Sequence, residues 1–226
     1  MFRGLGVAAV AGLLTALALP ASAARVTHES YTFSGTMADA KWFVADGQEP
    51  DVGTPRILSI TGADAMSVHR VPGAKPERTP QPAVLAMALT MPGTTPGDDP
   101  YPAELWCVTE SASFTVAGDL SEAALRIPTC VAEVLVVDPK TGEEVPNGVT
   151  VTLTATAQWT ATGPLESQKS HSRYTYGQSW TMDISRSSMR PALATITITG
   201  LPGGSFAGTT QEATIQTVTA GSLLHQ

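Results

Sequence analysis

The sequence predicts an all-β fold, a single antiparallel β-sandwich, and three observations carry that prediction. Residues 149–162 alternate without a break. Val151, Leu153, Ala155, Ala157, Trp159 and Ala161 share one parity, and Thr150, Thr152, Thr154, Thr156, Gln158, Thr160 and Thr162 share the other. A period of two over that length means a strand with one face buried and one in water. Short apolar or alternating runs recur along the rest of the chain, separated by clusters of Gly, Pro and Asp, the pattern of antiparallel all-β domains. Almost no stretch reads as helix.

The elements follow in order. Arg3, an apolar run over 5–19 and Ala21-Ser22-Ala23 make residues 1–23 a secretory signal, too short and wrongly flanked for a membrane span. A single arginine before the run argues against the twin-arginine route, and no Cys follows it to carry a lipid. The last residues, "TAGSLLHQ", carry neither a hydrophobic tail nor a wall-sorting motif. The expected mature chain, 24–226, is soluble, secreted and one domain. Removing the 23 residues with their one charge leaves 203 and moves the net charge from −7 to −8. That balance excludes a general attraction for nucleic acid or for anionic membranes.

Strands are expected at 30–36, 41–45, 55–61, 65–71 and 83–91, the last flanked by Pro-rich loops at 72–82 and 92–102. Further strands read at 103–109, 112–118 and 130–138. Residues 119–127 are ambiguous: Asp119 and Glu122 have capping-box spacing, whereas Leu125 and Ile127 alternate around Arg126, which favours a strand. "DPKTGEE" (138–144) is a turn, with Pro139 presetting φ and Gly142 supplying the left-handed position. It leads into the strand over 149–162, and strands at 192–200 and 212–220 complete the set. Cys107 and Cys130, the two cysteines, are expected to form a disulfide in an oxidising compartment, worth roughly 3 kcal/mol on the chain-entropy account. An immunoglobulin-like arrangement is compatible with this pattern, but Trp106 precedes Cys107 instead of lying between the cysteines. Trp42, Trp106, Trp159 and Trp180 are expected in the core.

Catalytic and metal motifs are scarce. The four histidines, His28, His69, His171 and His225, have no H-x-H, H-E-x-x-H or C-x-x-C company. Cleavage after Ala23 or Ala24 leaves His28 inside the chain, which excludes an amino-terminal copper brace. "GQSW" (177–180) lacks the closing glycine of a nucleophile elbow. Asp98, Asp99 and Glu104 are the one acidic loop cluster, read as a solvated loop ahead of a surface Ca²⁺ site. The Thr rows suit the wet side of strands. No cofactor, metal or catalytic residue is therefore expected.

One stretch suggests binding. "QKSHSRYTYGQSW" (168–180) places Lys169, His171 and Arg173 on one parity of an extended chain, with Tyr174, Tyr176 and Trp180 on the other. The aromatics are expected to face the core and the basic row to face solvent, joined by Arg186 and Arg190. From residue 167 onward, four basic residues (Lys169, Arg173, Arg186, Arg190) stand against Asp183 and Glu212. The expected function is a secreted, non-enzymatic binding or cell-surface-associated module whose partner is an acidic glycan or an acidic protein surface. The alternative is a secreted hydrolase assembled from distant residues around His69.

The run "VTLTATAQWTATGP" (151–164), the Ser/Arg/aromatic stretch after it and "RPALATITITG" (190–200) resemble a family of exported, β-rich bacterial proteins of uncharacterised function. The resemblance covers about residues 130–200. It implies an exported all-β chain and carries over no catalytic or binding residue.

Overall fold

The computed structural model describes the backbone of residues 28–225 except 94, 96, 139, 177 and 178, and omits the side chains of 28, 174–182, 224 and 225. The expected signal segment, Pro139 and the side chains of His28, Tyr174, Tyr176, Trp180 and His225 thus lie outside the described residues. Every described element is a strand: β1 (His28–Phe43), β2 (Pro55–Arg70), β3 (Glu77–Pro80), β4 (Ala83–Met91), β5 (Tyr101–Thr109), β6 (Ser113–Val116), β7 (Glu122–Val137), β8 (Glu144–Ala161), β9 (Glu166–Tyr176), β10 (Ser179–Leu201) and β11 (Gly204–His225).

All pairings are antiparallel, and eight strands form a path that returns to its start. The order β1-β11-β10-β8-β7-β5-β4-β2 closes because β1 pairs with β11 along one edge and β2 along the other. The two layers expected of a sandwich are therefore opposite halves of one closed sheet, which leaves no edge in the ring. β3, β6 and β9 are short additions on β2, β7 and β10.

The alternation of β8 works as the sequence implies. Leu153, Ala155, Ala157 and Trp159 are buried inside the ring while Thr152, Thr154, Thr156 and Thr160 are exposed. The interior mixes alanines (Ala38, Ala40, Ala132, Ala194) with Leu58, Ile60, Leu85, Leu105, Ile196 and Ile215, so small and large side chains interdigitate. Trp159 spans this interior, and its indole N–H donates to the Asp39 carbonyl of β1 at 2.9 Å. An apolar inside and a hydroxyl-rich outside along β8 is the reverse of a membrane-spanning barrel. No described helix is long and apolar enough to cross a membrane.

Several expectations change. The runs at 30–36 and 41–45 are one strand, as are those at 55–61 and 65–71. Gly62 reads locally as a break between two of these runs but serves close approach, as does Gly35 inside the first: a Cβ on Gly35 would overlap Ala65 of β2, and one on Gly62 would stand 2.5 Å from the Phe114 ring. The 119–127 stretch is a turn and then strand. Leu120 takes φ 59°, and the Ser121 N–H donates to Asp119 Oδ1 at 3.0 Å before β7 begins. β7 runs on through a register shift between Ile127 and Cys130, which lets both point inward although they are three residues apart. The Pro-rich segment 72–82 includes β3, and Pro102 lies within β5.

At 138–144 the turn forms as expected, with Gly142 at φ 73° and its N–H donating to Asp138 O at 2.8 Å. Cys107 and Cys130 stand at disulfide distance, their Cα atoms 6.0 Å apart, and tie β5 to β7 where the two strands diverge. Their inward parity decides the fate of Trp106. Leu105 and Cys107 are buried, so Trp106 points out and is 45% exposed. The expected core position is thus corrected for Trp106, and Trp42 is only half-buried.

Candidate functional site

The closed ring does not use the full length of its strands. β1, β2, β10 and β11 run beyond it and, flanked by β3 and β9, form an open six-stranded extension ordered β3-β2-β1-β11-β10-β9. The ring end beneath it is capped. Phe114 of β6 packs edge-on to Trp159, with ring centroids 6.5 Å apart, against the Gly62 backbone. Arg190 donates from Nε to Asp119 O at 3.0 Å and from Nη1 to Gly163 O at 3.1 Å, joining two turns across the opening. Its guanidinium serves this structural role, which removes Arg190 from the expected binding row. Hydrogen bonds from Ser121, then the nearby Arg190 charge, hold the Asp119 carboxyl below its ordinary range.

The register assigns each residue of the extension to a face. Counting outward in steps of two from buried Ala192, Ile215, Ala38 and Ile60, one face continues the ring interior. It carries Arg186 and Ile184 on β10, Thr219 and Gly221 on β11, Ser34 and Thr32 on β1, and Met66, Val68 and Arg70 on β2. Here burial reverses. Thr32, Ser34, Thr219, Ile184 and Arg186 are exposed, while Tyr31, Phe33, Val218 and Ser185 on the opposite face are half-buried.

The segment 168–180 is a hairpin, not one strand: β9 and β10 pair from Glu166↔Met189 to Tyr176↔Ser179. Lys169, His171 and Arg173 are all exposed, as expected, and lie on the face that continues the ring interior. Lys169 stands directly opposite Arg186, and His171 opposite Ile184. Like charges in a cross-strand pair are unfavourable, so this pair costs stability unless an anion lies over it. Sequence reasoning missed the far side of the same face, where Arg70 and Arg78 are also exposed. Charge is sorted by face across the whole extension. Lys169, Arg173, Arg186, Arg70 and Arg78 share one face with Asp64, and Glu29, Glu77, Glu166 and Asp183 occupy the other.

His69 lies on that second face. Its Nε2 is 3.1 Å from Glu29, its Nδ1 is 4.0 Å from Glu77, and Tyr31 stacks on its ring at 4.2 Å and 5°. A carboxylate thus faces each ring nitrogen, and the Tyr31 ring covers one side of the imidazole. Tyr31 donates to Glu29 at 3.0 Å, and burial, followed by that hydrogen bond and the Glu29 charge, pushes its hydroxyl up to about 12.

At the far end of the ring a second candidate, a depression of about 420 Å³, lies between the β1–β2 turn and Phe206. Trp42 and Phe206 meet there edge to face, centroids 4.7 Å apart, beside Glu49 and Asp51. Among the described residues no group of three or more His, Cys, Asp or Glu is placed to hold a metal ion. No protein-family model, curated protein or solved structure matches the chain.

Proposed function

We propose that this chain is a secreted, non-enzymatic binding module that recognises anionic partners through the β9–β10 hairpin. The observation that carries the reading is the Lys169–Arg186 pair, opposed across the hairpin with His171 and Arg173 in adjoining rows of the same exposed face. Two cations held side by side on a net-acidic chain make a local attraction for anions that salt screens. Export rests on the apolar run over 5–19 and the Ala21-Ser22-Ala23 cleavage signal, and the paired cysteines suit an oxidising compartment. A hydrolase built on His69 draws less support, because both ring nitrogens already face carboxylates.

The test is elution from a sulfated anionic matrix in a salt gradient. Lys169→Ser/Arg186→Ser should elute at clearly lower salt than the wild-type chain. Arg126→Ser/Lys140→Ser, two exposed cations elsewhere on the molecule, should elute nearly unchanged. Equal shifts in both variants, or none in the first, overturn the reading.

A further inference from the structure

We infer that the ligand is a linear acidic polysaccharide lying across the strands of the extension, held by the β9–β10 cations on one bank and by Arg70 and Arg78 on the other. This rests on the reading above and names its ligand class. Three features point to it. First, the cross-strand rows run unbroken from bank to bank: Lys169–Arg186–Thr219–Ser34–Met66, then His171–Ile184–Gly221–Thr32–Val68–Arg78. Five interstrand steps separate β9 from β3, a span of roughly 24 Å at the usual strand spacing. Only an extended ligand touches both banks at once.

Second, the lane between the banks is built for sugar. Thr32, Ser34 and Thr219 expose hydroxyls that donate to and accept from ring hydroxyls, and Gly221 leaves a low point at its centre. No aromatic side chain stands in this lane among the described residues, so a nucleic-acid strand lacks the stacking platform it uses. Third, the sorting of charge by face keeps carboxylates off this side, apart from Asp64 at the ring end of the lane. A solvated strand surface has no need of such separation.

Gly221 supplies a test that leaves charge untouched. A Cβ there would meet Thr32 Cγ2 at 3.7 Å and Tyr31 O at 3.8 Å, ordinary contact distances. The backbone at Gly221 therefore accepts a Cβ, and Gly221→Val raises strand propensity, yet it fills the lane. Binding is measured for polygalacturonate (carboxylate only), dextran sulfate (sulfate only) and polyglutamate, with thermal melting as the check on folding. One of the two polysaccharides should bind best and identify the anion, with a short oligomer of it binding far more weakly than the polymer. Arg70→Ser/Arg78→Ser and Gly221→Val should each weaken the polymer by about tenfold, Gly221→Val without loss of melting temperature. If only Lys169→Ser/Arg186→Ser weakens binding, the two-bank inference fails and the hairpin reading stands. If that variant also binds as the wild type does, both fail. Polyglutamate bound as tightly as either polysaccharide overturns the glycan assignment in favour of an acidic protein.

Discussion

Gly62→Ala should destabilise the protein although it replaces glycine inside a strand. At most such positions alanine helps, because it narrows the unfolded ensemble and gains about 0.4–1 kcal/mol. Here the new methyl would stand 2.5 Å from Phe114 Cδ2, 2.9 Å from Cε2 and 3.3 Å from Leu125 Cδ1. Phe114 is also held edge to face against Trp159, so moving away from the new methyl disturbs that contact. Overpacking of this kind costs about 1–3 kcal/mol, which outweighs the entropic gain and leaves a net loss of about 1–2 kcal/mol. For a domain of this size that lowers the melting midpoint by roughly 2–8 °C. The assay is a double-mutant cycle by thermal or urea unfolding. In a Phe114→Ala background the same change should be neutral or stabilising, giving a coupling of about 1 kcal/mol or more. A Gly62→Ala protein that melts at or above the wild-type temperature, or that loses as much in the Phe114→Ala background, refutes the claim that this glycine exists to admit the β6 cap.

Two further outcomes are expected. Intact-mass analysis of the exported protein should give a chain beginning at Ala24 and lighter by two hydrogens, with Cys107 and Cys130 joined; a full-length or dithiol mass contradicts both points. Tyr31 should titrate late, near 12. Because its folded value lies above the unfolded value near 10, the unfolded chain ionises first and stability falls as pH rises between the two. Tyr31→Phe should remove the late step in an ultraviolet titration and flatten the alkaline loss, and an unchanged titration curve counts against the Tyr31–Glu29 contact.

Features that depend on local periodicity and local turn chemistry were legible in the residues alone. The two faces of β8, the turn at 138–144 and the outward Lys169–His171–Arg173 row follow from a period of two and from residues that set φ, and neither needs a distant partner. The cysteine pair was legible because two cysteines leave one partner for each. Features that depend on contacts between distant segments were not. Gly62 looks like a break in one dimension, and only the approach of Phe114 shows why a glycine stands there in the strand interior. Trp106 points outward because Cys107, its neighbour, must point in to reach Cys130. Arg190 reads as one more surface cation until the turns at Asp119 and Gly163 close over it. Arg70 and Arg78 lie some ninety residues before the basic row in sequence, and alternation tells which face of its own strand each occupies but not which strands stand side by side. That order is set when β1 closes between β2 and β11, a pairing chosen by how side chains fill the interior they jointly enclose. The same closure brings both banks of cations onto one face.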